Sequence, residues 1–232
     1  MRVLIFDTET TGLPKTKLIN PDTLHMWPYI VQFSYIIYDT TLNDIVHTYD
    51  SIIKLQDGIT IPEETSKIHG ITNNMSQENG LQINNILDNF FINLRNVDML
   101  VGHNISFDIN IVRIELLRFI YDNNYTKTED DIKKYKYNLH FLANFTNIYC
   151  TLQESINICQ IKAVDRFGKE YFKYPKLMEL HEKLFETEPQ NLHNSFIDIL
   201  VTLRCFMKLK YNIDLNNSCQ KFICLVQKMQ LY

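Results

Sequence analysis

Two hydrophobic periods alternate along this chain of 232 residues. Runs rich in β-branched and aromatic residues at 2–6, 30–38, 46–53 and 99–103 read as strands, and a fifth ends near Tyr149 and Cys150. The first three form a meander whose first connection is a loop of Pro, Lys and Asn at 14–28. From residue 63 the spacing turns helical, first over 63–69 and then over 83–94. There Ile83, Ile86, Leu87, Phe90, Phe91 and Leu94 recur at intervals of three and four and make one apolar face. A helix over 108–119 follows the fourth strand directly, with Ile111 and Ile114 on one face and Glu115 and Arg118 on the other. Further helices are expected from Thr151, over 175–185, over 194–210 and over 217–229. Residues 121–145 carry clustered charge with weak periodicity and read as an insertion, in part helical. Strands first, then helices and strands mixed, imply an α/β or α+β layering around one mixed sheet.

Composition changes this picture little. A hydrophobic share of 45% with 22% charged residues is that of an ordinary globular protein, and six glycines with six prolines leave little for long linkers. No apolar run approaches the roughly 18 residues of a membrane span. The start turns acidic at Asp7, too early for a signal peptide. An intracellular protein with no membrane contact is the expectation. Five cysteines without a CxxC pair point to reduced thiols rather than a disulfide framework or a zinc site. A net charge of −4 argues against gripping long duplexes mainly by neutralising phosphates.

Chemistry concentrates in three places. Asp7 and Glu9 stand two apart at the end of the first strand, so their side chains share a side and can meet one hard cation. Taken alone, such a pair is more often a solvated strand end. The continuation Thr10-Thr11-Gly12-Leu13-Pro14 is a small-residue turn that lets backbone approach a ligand. The second place is Val101-Gly102-His103-Asn104-Ile105-Ser106-Phe107-Asp108, and the third is His193-Asn194-Ser195-Phe196-Ile197-Asp198. In identity, spacing and order these segments resemble the three motifs of the DnaQ-like DEDDh 3′–5′ exonucleases, of the RNase H-like superfamily. These motifs are DxETTGL, HNxxFD, and a histidine five residues before an aspartate. Smaller echoes occur at Ile68-His69-Gly70-Ile71-Thr72, Cys150-Thr151-Leu152 and Lys176-Leu177-Met178-Glu179-Leu180. The resemblance covers most of residues 1–210, taken as the exonuclease domain. The loop 14–28, the insertion 121–145 and the tail 211–232 have no counterpart, and the tail is expected to pack on the domain as a helix.

The resemblance implies an α/β fold with a mixed five-stranded sheet flanked by helices, and a metal-dependent exonuclease. Asp7, Glu9, Asp108 and Asp198 would hold two Mg2+ or Mn2+ ions, oxygen ligands favouring these over zinc. His193 would be the general base. Five residues on a continuous helix turn a side chain some 140° from its partner, so His193 should precede the helix, with Asn194 or Ser195 as cap. Relatives of the tyrosine type would carry Tyr where Asn194 stands, which favours the histidine subclass. Thr10, Thr11, Gly12, Leu13, His103, Asn104 and Phe107 are the substrate-binding candidates. Some have a second reading: His103 and Asn104 as helix caps, Phe107 as core or pocket wall, Leu13 as a packed residue rather than a wedge against the terminal base. Trp27 either closes the substrate channel or anchors the second strand, while His69 and His181 are structural. The expected partner is a single-stranded or frayed 3′ end of DNA or RNA, and a polymerase partner is compatible with it. The competing reading is a non-catalytic nucleic-acid-binding module, yet such a module would be free to lose one of the five residues. No motif here encodes a choice between DNA and RNA.

Overall fold

Alternation along the first strand divides its side chains between the two larger of three hydrophobic cores among the described residues. A computed structural model describes residues 1–122, 125 and 127–232, so positions 123, 124 and 126 of the expected insertion lie outside the described residues. The chain begins with strands β1 (Arg2–Thr10), β2 (Ile30–Asp39) and β3 (Asp44–Ile52), followed by helices α1 (Glu63–His69), α2 (Asn73–Asn79) and α3 (Ile83–Leu94). Then come β4 (Met99–Gly102), α4 (Ile105–Tyr121), α5 (Glu129–Ala143), β5 (Ile148–Cys150) and the short helices α6 (Thr151–Glu154) and α7 (Ile156–Cys159). A hairpin of β6 (Lys162–Val164) and β7 (Glu170–Phe172) precedes α8 (Leu177–Phe185), α9 (Ser195–Tyr211) and α10 (Gln220–Lys228).

Five strands form one sheet in the order β3-β2-β1-β4-β5. The pairs β1–β2 and β2–β3 are antiparallel, while β1–β4 and β4–β5 are parallel, so the sheet is mixed. Leu4 and Phe6 of β1 face a core built with α3, α4 and α5. Val3 and Ile5 face the opposite core, built with α8, α9 and α10. The apolar face of α3 is fully used: all six residues of its stripe are buried. Each such side chain contributes about 1.5–3 kcal/mol of transfer free energy before entropy is counted. Phe222 and Val226 of α10, and Leu231 beyond it, join the second core. No helix among the described residues is long and apolar enough to cross a membrane.

The structure departs from the sequence reading where polarity hides an element. β1 runs on to Thr10, well past its apolar part, because residues 7–10 pair with β2 (Asp7 with Ser34, Glu9 with Gln32) before a bulge between Glu9 and Thr10. α2 has no apolar stripe and is fixed at its ends instead, with the Thr72 hydroxyl accepting from Met75 N–H and Gly80 N–H donating to Ser76 O. The helix after the fourth strand starts at Ile105 rather than 108, and the loop 14–28 contains a 3-10 turn, Pro21–Met26, capped by Asn20. Trp27 is buried in the first core and donates Nε1–H to Leu18 O at 2.9 Å, so it anchors the start of β2.

Candidate active site

Three elements bring their carboxylates to one end of the sheet. Asp7 and Glu9 leave β1 on the face that Val3 and Ile5 bury against α9. Asp108 and Asp198 each lie four residues after a cap, Asn104 for α4 and Asn194 for α9. Both helices therefore direct their positive ends toward the cluster. Asn194 caps α9 with its side chain, accepting from Phe196 N–H at 3.1 Å and Ile197 N–H at 3.3 Å.

Asp108 is buried, and its Oδ1 accepts from the Thr8 N–H at 3.0 Å and the Thr8 hydroxyl at 2.8 Å. Thr8 points to the other side of β1 from its neighbours and so ties α4 to the strand that carries Asp7 and Glu9. Asp198 Oδ2 accepts a 3.3 Å bond from His193 N–H, whereas its Oδ1 is buried with no partner. Ligand atoms of Glu9, His193 and Asp198 lie within 4.8 Å of one another.

The electrostatics tie all four carboxylates together. Burial pushes Asp7 up to about 7. Glu9 is pushed up to about 9 by burial, and then by the charges of Asp7, Asp198 and Asp108. Burial followed by the charge of Asp7 raises both Asp108 and Asp198 well above the usual carboxylate range. No lysine or arginine lowers any of the four. A cluster of mutually repelling oxygens that includes an unpartnered buried Oδ1 is a donor set suited to a hard divalent ion.

His193 is exposed, ahead of α9, with φ of 69°. Asn104 occupies the same left-handed region at 64°, ahead of α4. Such conformations cost about 1–2 kcal/mol for non-glycine residues and persist where neighbours enforce them. At His193 the enforcing neighbours form a buried polar chain. Ser195 N–H donates to Gln32 Oε1 at 3.2 Å, and Ser195 Oγ lies 2.5 Å from Ser34 Oγ. Ser34 spends its only proton on Asp50 Oδ1 at 2.7 Å, so Ser195 is the donor between the two hydroxyls. Gln32 also donates to Asp50 Oδ1, at 2.8 Å, which closes the chain onto β3.

The remaining candidates fall around this centre. Thr10 is buried, with its hydroxyl donating to Gly12 O at 2.7 Å, and Thr11 Oγ1 accepts from Tyr29 N–H at 3.0 Å. Gly12 has φ of 152°, and the Leu13 side chain beyond it is 81% exposed. Asn104 is exposed and makes no capping bond with its side chain, while Phe107 packs half-buried against the first core. Both nitrogens of His103 are occupied, Nε2 against Pro175 O at 3.1 Å and Nδ1 against the Thr151 hydroxyl at 3.0 Å. A carbonyl can only accept, so the proton sits on Nε2, and burial holds the ring neutral by lowering its pKa to about 4.

Thr8, Ser34, Gln32 and Asp50 position the site but carried no signal in the sequence, whereas Thr151, which meets His103, stands in the segment Cys150-Thr151-Leu152. His69 likewise stands in the segment Ile68-His69-Gly70-Ile71-Thr72. Its ring lies against the Thr10 backbone near His193, with Nδ1 accepting from Ile71 N–H at 3.1 Å and a buried Nε2 that reaches no full hydrogen bond.

A model of the exonuclease family RNase_T matches residues 4–206. Over 115 residues the chain is 35% identical to the DNA polymerase III subunit epsilon of Buchnera aphidicola subsp. Acyrthosiphon pisum (strain APS), which covers 50% of this chain and 44% of that protein. Similar solved structures include E. coli exonuclease I in complex with a dT13 oligonucleotide, at a TM-score of 0.57 and 18% identity over 89% of this chain and 41% of that one. A moderately thermophilic exonuclease I from Methylocaldum szegediense gives 0.56 and 17% over 93% and 42%. The zinc-bound form of the E. coli exonuclease I–ssDNA complex gives 0.57 and 18% over 91% and 41%. The fold is thus that of the RNase H-like exonucleases, and the chain spans less than half the length of these relatives.

Proposed function

The chain belongs to the DnaQ-like exonuclease family RNase_T, and from that premise we propose that it hydrolyses nucleic-acid phosphodiesters from a 3′ end, with metal held by Asp7, Glu9, Asp108 and Asp198. The observation that carries this reading is the convergence of four mutually repelling carboxylates from β1, α4 and α9 with no lysine or arginine among the described residues to neutralise them. When bound there, a pair of Mg2+ or Mn2+ ions supplies the Lewis acidity that activates a water and offsets charge on the scissile phosphate.

The chain's own groups do the rest. His193 is the general base: exposed on its loop and tied to Asp198 through its backbone alone, its ring is free to take a proton from the attacking water. Leu13, presented to solvent by the Gly12 turn, meets the terminal base, and Asn104, exposed at the rim, offers its side-chain amide to the substrate. His103, neutral and doubly bonded, positions the turn before α4 rather than moving a proton. A polymerase-bound proofreading role is the second reading, favoured by the likeness to a protein named as a polymerase subunit.

End-labelled DNA and RNA strands of matched sequence test the proposal. With magnesium or manganese the protein should shorten the strand from its 3′ end, and the Asp108→Ala variant should not. Equal activity in the two proteins sinks the assignment, and the ratio of DNA to RNA rates gives the sugar preference.

A further inference from the structure

The β6–β7 hairpin plays no part in the site described above, and its surface is unlike the rest of the chain. Between residues 162 and 176 stand five basic and two acidic side chains, in a protein whose net charge is −4. Large apolar groups interleave with them and are exposed: Val164 at 62%, Phe167 at 80%, Tyr171 at 49%, Phe172 at 43% and Tyr174 at 55%. Val164 and Phe172 lie on one face of the ribbon and Tyr171 on the other, as the pairing of Val164 with Glu170 and Ala163 with Tyr171 requires. Neither face is covered. A two-stranded ribbon with bare aromatic groups on both sides has few contacts of its own to hold it, and exposed apolar clusters of this kind mark binding surfaces.

Its tip is nonetheless preorganised. Asp165 Oδ1 accepts from Phe167 N–H at 2.8 Å and Lys169 N–H at 3.0 Å, and Gly168 takes the left-handed φ of 82° that closes the turn. Arg166 lies over the Phe167 ring at 4.7 Å. Lys162 and Lys173 are ion-paired with Glu170 and Glu179, whereas Arg166 and Lys169 have no carboxylate partner among the described residues. The foot of the hairpin reaches the candidate active site, because Pro175 O accepts from His103, the residue before the cap of the helix that carries Asp108.

We propose that this hairpin is an arm that holds single-stranded nucleic acid behind its 3′ terminus, with Phe167 stacking on a base and Arg166 and Lys169 meeting phosphates. The proposal rests on the exonuclease reading for the identity of the strand. A free aromatic face beside unpaired cations is the chemistry that recognises a single strand without regard to sequence, since every base offers a π-face and every linkage a charge.

Fluorescence anisotropy of a labelled oligothymidylate of about 20 nucleotides, with an oligouridylate as second arm, tests it in chelator over a range of KCl concentrations. Phe167→Ala should raise Kd about fivefold or more, the lower end of one lost stacking contact, and Phe167→Trp should restore binding. Arg166→Ala with Lys169→Ala should reduce the slope of log Kd against log salt by about 1.4, two phosphates at about 0.7 each. Variants that bind with the wild-type affinity and slope, or a wild type that does not bind either strand, overturn the arm; a hairpin that serves a protein partner gives the first of these results. Cleavage measured separately with magnesium distinguishes the two readings. A protein that binds through the tip but cuts nothing leaves the arm standing without the nuclease, and one that cuts while its tip variants bind unchanged does the reverse.

Discussion

Metal should stabilise this protein more as pH rises, and the size of the effect follows from Glu9. A carboxyl whose folded pKa lies above its unfolded one keeps a proton that the unfolded chain has released, so the metal-free fold weakens as pH rises between the two values. For Glu9 that interval runs from 4.5 to about 9, and for Asp7 from 3.8 to about 7. Below pH 6.5 the trend is confounded, because His103 and His181 are held neutral with pKa values near 4 and the fold strengthens as pH climbs toward 6.5. From pH 7 upward the carboxylates decide. Metal ligation requires the deprotonated form, so saturating Mg2+ or Mn2+ removes the loss and the gap between metal-bound and chelated protein widens.

One retained proton is worth about 1.4 kcal/mol per pH unit. Partial exposure of Glu9 reduces that to about 0.7–1.4 kcal/mol per unit. A chain of this length has an unfolding entropy of about 0.5 kcal/mol/K, so the gap in Tm should grow by about 1–3 °C per unit. Thermal melts from pH 7 to 8.5, in chelator and in excess magnesium, measure it directly. Cysteine thiols raised by burial shift both curves together and cancel in the difference. A gap that stays constant or narrows refutes the reasoning, and Glu9→Gln, which has no proton to lose there, should make its growth less steep.

Three further outcomes are expected. Arg118→Met strands the buried Glu115, which Arg118 contacts at 2.6 Å, and frees the carbonyls of Trp27 and Pro28 that it holds at 2.7 and 3.1 Å. Urea melts should show a loss of about 3–5 kcal/mol, and Glu115→Met in the same chain should recover part of it. His193→Ala should lower kcat by about 10²- to 10⁴-fold on end-labelled strands. Its Tm should stay within about 1 °C, since the side chain is exposed. Gly80→Ala should destabilise by about 1–3 kcal/mol in the same melts. Its Cβ would stand 2.2 Å from Ser76 O and 2.4 Å from Lys54 N, so both the last turn of α2 and its packing on the chain just after β3 must give.

Much of this architecture was readable because burial leaves a period. The stripe of α3 runs from Ile83 to Leu94 in sequence and in structure alike, and the five strands lie where apolar runs placed them. Elements held by other means left no period. α2, spelt Asn73-Asn74-Met75-Ser76-Gln77-Glu78-Asn79, is set by its caps, and both strands of the β6–β7 hairpin are three residues long and face solvent. Arg118 marked a polar helix face in the sequence, yet it is almost wholly buried, stacked 3.7 Å from the Tyr29 ring and bonded to the loop before β2.

The site divides in the same way. Its charged oxygens stand in three short segments made legible by their resemblance to the family's motifs, and once His193 and Asp198 are taken to serve one site, helix geometry places His193 ahead of α9. What fixes those segments against one another is a set of single long-range pairs: Thr8 with Asp108 across 100 positions, Ser34 with Ser195 across 161, His103 with Pro175 across 72. Each joins a small or neutral polar side chain to a partner that no period and no motif relates to it. Replacing Thr8 by Val would leave every carboxylate in the sequence unchanged while taking away one of the two bonds that hold Asp108 to β1. An intact set of acidic residues therefore does not by itself determine where those residues stand.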